Sequence, residues 1–180
     1  MKRHLRIVLV AALAGCATPQ NQYFTLSVEP PLTNVSPGPG ATEGLSVASV
    51  RLPAITDRQQ IVVRTGPQTV DVREFDRWAE PLDLMTQRTL SGDLALRGGR
   101  PQRGDAPTRL YVVVDEFMAD GSGKTLLSGR WWTLGRTQDP ASRQEHAFSL
   151  SVPIQHAQSA EVAAAMSQVL GHLATEIVQN

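Results

Sequence analysis

Residues Arg109 to Met118 read Arg-Leu-Tyr-Val-Val-Val-Asp-Glu-Phe-Met, and they run through Asp120-Gly121-Ser122-Gly123 into Thr125 to Leu134. The first segment is the most apolar strand of the chain, dense in the β-branched and aromatic residues that fit a pleated, half-buried surface. The glycine-rich tetrapeptide is turn chemistry and the continuation is again β-rich. The spacing therefore predicts a hairpin whose first strand lies near the centre of a sheet. Trp131 and Trp132 fall in the returning strand. Successive strand residues point to opposite faces, so one indole can enter the core while the other meets a partner, as aromatic interface anchors do. The alternative is a core covered on both sides that takes both rings.

Working outward, Gln144 to Val152 alternates, with His146, Phe148, Leu150 and Val152 on one face. Upstream, Thr69 to Phe75, Gln60 to Arg64, Leu45 to Leu52 and Tyr23 to Val28 all read as strands. In the third of these, strict alternation places Leu45, Val47, Ser49 and Arg51 on one face and Ser46, Ala48, Val50 and Leu52 on the other. Glu29 to Gly44 and Arg97 to Pro107 are rich in proline and glycine and read as loops. Glu80-Pro81 opens a helix running to Leu96, with Pro81 at the first helical position. Leu82, Met85, Thr89 and Leu96 share one face while Leu84 and Leu94 fall elsewhere, a pattern expected of a helix packed on more than one side. Ser159 caps a last helix with a clean stripe of Val162, Met166, Val169, Leu170, Leu173 and Ile177, from which Gln168, His172 and Thr175 face away. The expected fold is a single α+β domain, a largely antiparallel or mixed sheet with two main helices packed on it.

The start of the chain has a different logic. Lys2, Arg3 and Arg6 precede a short apolar run from Ile7 to Ala14, the layout of a secretory signal. About 20 apolar residues would be needed to span a bilayer, and this run is far shorter. Leu13-Ala14-Gly15-Cys16 resembles the bacterial lipoprotein signal, in which Cys16 becomes the first residue and is acylated. Residues 1–15 are then a signal peptide, 16–22 the lipidated cysteine and tether, and 23–180 a periplasmic domain. Ala17 stands where an aspartate would retain many lipoproteins in the inner membrane, so the resemblance points to the periplasmic face of the outer membrane. Two or three acyl chains hold firmly where one would not.

Composition excludes several classes of function. Removing the signal takes three basic residues from a chain with 17 Lys and Arg against 17 Asp and Glu, which leaves it mildly acidic. Nucleic-acid binding needs a basic footprint and is not expected. Cys16 is the only cysteine, so no thiol remains for catalysis, a disulfide or a metal. Gly121-Ser122-Gly123-Lys124-Thr125 looks like the end of a phosphate-binding loop, but position 118 is Met where the motif requires glycine, and a strand rather than a helix follows. Asp115 and Glu116 are adjacent on a strand and do not form a catalytic carboxylate pair, and His146, His156 and His172 have no metal-ligand spacing. No enzyme, cofactor or metal site is expected.

Two segments carry a family resemblance. Val47 to Pro53, followed by Asp57-Arg58-Gln59-Gln60-Ile61-Val62-Val63-Arg64, resembles a "V-x-LP…DR-x-x-IV-x-R" signature, and Arg77-Trp78-Ala79-Glu80-Pro81-Leu82 resembles an "RWAEPL" block. With Tyr23-Phe24-Thr25-Leu26 and the lipoprotein signal, the chain resembles the PqiC/YmbA-type lipoproteins, auxiliary components of MCE-type lipid transport systems. Ile55-Thr56 departs from the bulkier pair such proteins carry. The resemblance implies a non-enzymatic lipoprotein that supports membrane integrity and receives an MCE-domain transport protein. The alternative is a free-standing assembly or chaperone lipoprotein serving an outer-membrane protein or glycolipid. Leu52, Pro53, Asp57, Arg58, Arg64, Arg77, Trp78, Glu80 and Pro81 are the motif residues, structural or partner-binding. For Asp57, Arg58, Arg77 and Glu80 the expectation is that they brace the fold through ion pairs and caps. Spare apolar surface on the first helix and at Trp131-Trp132, held in one plane by the tether, points to a homo-oligomeric ring.

Overall fold

The computed structural model describes residues 19–31, 44–98, 108–135 and 143–180. The signal, Cys16 and the central parts of both proline- and glycine-rich segments lie outside them. The elements follow in the order β1 (Gln22–Phe24), β2 (Leu45–Arg51), β3 (Gln60–Gly66), β4 (Thr69–Trp78), α1 (Leu82–Leu96), β5 (Thr108–Asp120), β6 (Lys124–Leu134), β7 (Glu145–Pro153) and α2 (Ser159–Gln179).

The hairpin of β5 and β6 is the spine of the sheet, paired from Arg109↔Leu134 to Asp120↔Lys124. Its turn is closed by the Ser122 N–H donating to Asp120 Oδ1 at 2.9 Å, with Gly123 at φ 96°, where glycine carries no steric cost. β7 adds antiparallel to β6. On the opposite side, one edge of β5 is shared: β2 runs parallel along Thr108 to Val113, and β3 rejoins it, also parallel, at Ala119 and Asp120. β4 folds back antiparallel on β3, and the short β1 lies parallel to β4. The result is an open, mixed, seven-stranded sheet with two helices, an α+β fold.

Two bulges adjust the faces. The register shifts between Val47 and Ser49 in β2, so Leu45, Val47 and Val50 all reach the core and the strict alternation expected for this strand fails. In β5 the shift falls between Val114 and Glu116, which keeps Leu110, Val112, Val114, Phe117 and Ala119 buried. Gly129 lies opposite this bulge. A Cβ there would run into the Val113 carbonyl and come within 2.9 Å of Val114 Cα, so the two strands approach too closely for a side chain.

The helices cover one face. α2 buries the expected stripe, Val162, Met166, Val169, Leu170, Leu173 and Ile177, together with Ala163, Ala174 and Val178. In α1 the buried band is Leu82, Met85, Thr86, Thr89, Leu90, Asp93 and Leu94. Leu94 is therefore core and Leu96 is exposed, the reverse of the expectation, because the band follows the drift of a 3.6-residue period. Pro81 is the residue before the helix rather than its first turn; its carbonyl accepts the Met85 N–H. Ser159 does not cap α2. Its hydroxyl donates instead to Asp76 Oδ2 on β4, while Glu161 accepts the backbone N–H groups of Gln155 and His156.

The strand expected from Tyr23 to Val28 is real only at its start. Beyond Phe24 the chain leaves the sheet and crosses the helices as an extended strap. The Ser27 N–H donates to Ser167 Oγ at 3.0 Å and the Glu29 N–H to Asp93 Oδ1 at 2.7 Å. Gly92 and Gly171 admit it, since a Cβ at either would meet Val28 or Glu29. Thr175, expected to face away, instead accepts from Arg97 Nε at 2.8 Å on the helix-to-helix side.

Candidate functional site

The chain between β2 and β3 is a surplus that must leave the sheet, because both strands are pinned to the same edge of β5. Pro53 starts the excursion. Its carbonyl accepts from the Thr56 and Asp57 N–H groups and from Thr56 Oγ1, a tight turn that buries Thr56. The small Thr56 suits this enclosed position, and Ile55 beside it stays exposed. The loop ends at Gln59, whose carbonyl accepts the Trp78 N–H at 2.7 Å. Ala79 N–H then donates to Phe24 O at 2.8 Å. Backbone bonds thus tie the two motif segments and the Tyr-Phe-Thr-Leu stretch together at one corner.

Between Asp57-Arg58-Gln59 and Trp78 to Leu82 an open cleft of about 300 Å³ remains. Trp78 and Leu82 anchor its floor and are themselves core residues, 4% and 1% exposed. Asp57, Arg58 and Glu80 are exposed around it. Glu80 pairs with Arg88 at 2.6 Å, an exposed pair that contributes little to stability. Among the described residues neither Asp57 nor Arg58 has an ion-pair partner. Both charges lie exposed beside the cleft.

The other motif residues act within the fold. Leu52 packs against the core. Arg64 pairs with Glu116 on β5, and Arg77 donates to the Glu74 carbonyl at 3.3 Å within β4. Trp131 sits in the core, stacked on His146 with ring centroids 4.2 Å apart, whereas Trp132 lies on the opposite face of the sheet. Of the two indoles only Trp132 can reach a partner. No group of three or more metal-ligating side chains occurs among the described residues.

Sequence reasoning missed a buried polar cluster at the end of α1. Asp93, inside the expected helix, and Arg97, at the start of an expected loop, are 0% and 3% exposed at their side chains. Burial pushes the Asp93 carboxyl up to about 6. Its i, i+4 spacing to Arg97 was the available signal, one shared by ordinary surface pairs.

A family model described as ABC-type transport auxiliary lipoprotein component matches residues 24–178. The chain belongs to this family. It is the family that the Leu-Pro…Asp-Arg and Arg-Trp-Ala-Glu-Pro-Leu segments resemble. Two solved structures share the fold of this auxiliary lipoprotein. A crystal structure of a protein described as uncharacterized is 21% identical, with a TM-score of 0.70 over 88% of this chain and 97% of that one. A Xanthomonas campestris protein of family DUF330 is 23% identical, with a TM-score of 0.67 over 88% of this chain and 92% of that one. No curated protein matches the auxiliary lipoprotein.

Proposed function

We propose that this auxiliary lipoprotein is a non-enzymatic component of an MCE-type envelope lipid transport system that supports membrane integrity. In this reading the signal of residues 1–15 is removed, acyl chains on Cys16 anchor the protein to the outer membrane, and residues 23–180 form the domain on its periplasmic face. The cleft between Asp57-Arg58-Gln59 and Trp78 to Leu82 receives the MCE-domain transport protein. One observation carries this reading: two motif segments separated in sequence converge on a single open cleft whose exposed Asp57 and Arg58 have no ion partner among the described residues. A homo-oligomeric ring around the end of a transport tunnel fits the same role. Its subunit contact falls on α1, where Leu84 and Leu96 are 53% and 55% exposed, or on β6 at Trp132, since Trp131 is buried.

Affinity purification from native membranes tests the reading. An MCE-domain protein should co-purify with the wild type and be lost with Arg58→Ala, while the melting temperature of that variant should match the wild type. Recovery of an outer-membrane barrel protein in its place would favour the assembly or chaperone role.

A further inference from the structure

The sheet face turned away from the helices carries cations around an aromatic floor. Register places Tyr111 and Val113 of β5 between Ser49 and Arg51 of β2 and Trp132 and Arg130 of β6. Tyr111 and Trp132 stack with centroids 5.6 Å apart and planes 7° apart, and the Arg143 guanidinium lies 3.7 Å over the Trp132 ring. Together they line a depression of about 420 Å³.

We propose that this depression binds a phosphoryl group, as carried by a phospholipid headgroup or by inorganic phosphate. Arg51 and Arg130 flank Val113 from the two neighbouring strands, about 10 Å apart at two strand spacings, so their long side chains can converge over it. Guanidinium forks match phosphate oxygens bidentately. The formal net charge of the whole chain is +0, so three arginines in one depression are a local concentration and not a general excess. Among the described residues only Glu145 opposes them, pairing with Arg143 and, at 3.6 Å, with Arg130. Exposed pairs of this kind contribute little, so a phosphoryl group can displace Glu145 from Arg130. Among the described residues Arg51 has no ion partner at all. The apolar floor lowers the local dielectric and strengthens whatever bonds form above it. A nucleic acid fits less well, because the aromatic rings are already stacked on each other and under Arg143. This inference is independent of the docking role given to the cleft.

The test is titration of the soluble domain with inorganic phosphate, with short-chain phosphatidylglycerol below its micelle concentration, and with a short oligonucleotide. Saturable phosphatidylglycerol binding should weaken about tenfold or more in Arg51→Ala and in Arg130→Ala, a step matching the loss of one charge-assisted contact. Circular dichroism and melting should be unchanged, and Lys124→Ala, at the far end of β6, should bind as the wild type does. Competition by inorganic phosphate assigns recognition to the phosphoryl group alone. Lipid binding without such competition assigns it to the phosphoryl group within the headgroup. Absence of saturable binding to either, identical binding by the Arg51→Ala/Arg130→Ala double variant, or tighter binding of the oligonucleotide would overturn the proposal.

Discussion

Asp93 and Arg97, one helical turn apart, face each other inside the protein, with Arg97 Nη1 3.5 Å from Asp93 Oδ1. The same nitrogen donates to the carbonyls of Asp93 and Glu29 at 2.9 and 3.2 Å, and Oδ1 also takes the Glu29 N–H. Asp93 Oδ2 has no hydrogen-bond partner among the described residues. Together with Ser167, this pair holds the strap across the helices. Asp93→Ala would leave the Arg97 guanidinium without its charge partner and the Glu29 N–H without its acceptor, a loss of about 3–5 kcal/mol by the usual cost of orphaning a buried charge. Asp93→Asn keeps an acceptor at the Oδ1 position and should cost far less. Chemical denaturation of the three proteins measures both.

The pH dependence of the same group has a definite sign. Burial, the largest influence, raises the Asp93 carboxyl from 3.8 to about 6, outweighing the Glu29 N–H and the Arg97 charge, which both lower it. The folded state therefore holds this proton more tightly than the unfolded state does. Between about pH 4 and pH 6 the folded form binds more protons, so stability falls as pH rises, with the full penalty in place above the raised value. Asp120 contributes in the opposite direction, because the Ser122 N–H lowers its carboxyl and its stabilisation is lost on acidification. Subtracting the Asp93→Asn profile from the wild type isolates the first effect. The wild type should gain on the variant as pH drops from 7 to 5. A difference that stays flat, or reverses, would refute the assignment.

Gly129 gives a purely steric prediction. Because its missing side chain lets the Val113–Val114 backbone approach, Gly129→Ala must push β6 away from β5 or flatten the bulge. Overpacking of this kind costs about 1–3 kcal/mol, whereas Gly135→Ala, with nothing among the described residues within 4 Å, should be close to neutral. Thermal melts of the two variants provide the comparison.

These residues also mark where sequence reading stops. The β5–β6 hairpin was legible because its β-branched run and glycine turn are local signals, and α2 because its stripe keeps one period over its whole length. The strap was not, since Ser27 and Glu29 depend on Ser167 and Asp93, far along the chain, while the local residues read as a continuing strand. Bulges at Ala48 and Asp115 carry no residue of their own that announces them. At the cleft, both motifs were recognisable, but only the return of β3 beside β4 brings Gln59 against Trp78. Arg51 and Arg130 lie far apart in sequence; their shared neighbour Val113 is a matter of register.

Lipidation is tested at Cys16. If the Leu-Ala-Gly-Cys stretch directs processing, Cys16→Ser should lack acyl mass, retain or misplace its signal cleavage, and leave the outer-membrane fraction. Mass spectrometry and density-gradient fractionation read these effects separately. A Cys16→Ser protein that still sediments with outer membranes would remove the anchor from the proposed role.

Assembly is the remaining question, and α1 offers the surface for it. Its buried band packs on the domain, yet Leu84 and Leu96 remain exposed on the helix surface. Scattered apolar residues need no partner in a freely diffusing protein, but the proposed short lipid-anchored tether would confine every copy near one plane and raise its effective concentration. Identical copies meeting head to tail in a plane either close into a ring or polymerise, and a transport tunnel needs a ring. Crosslinking in intact membranes should therefore trap a discrete oligomer, and light scattering of the domain from Ala17 onward should show the same species at high concentration. Leu84→Glu should reduce both without changing the melting temperature, because the residue is exposed in the single chain. A monomer by both measurements would defeat the assembly, and an oligomer indifferent to Leu84→Glu would move its contact away from α1.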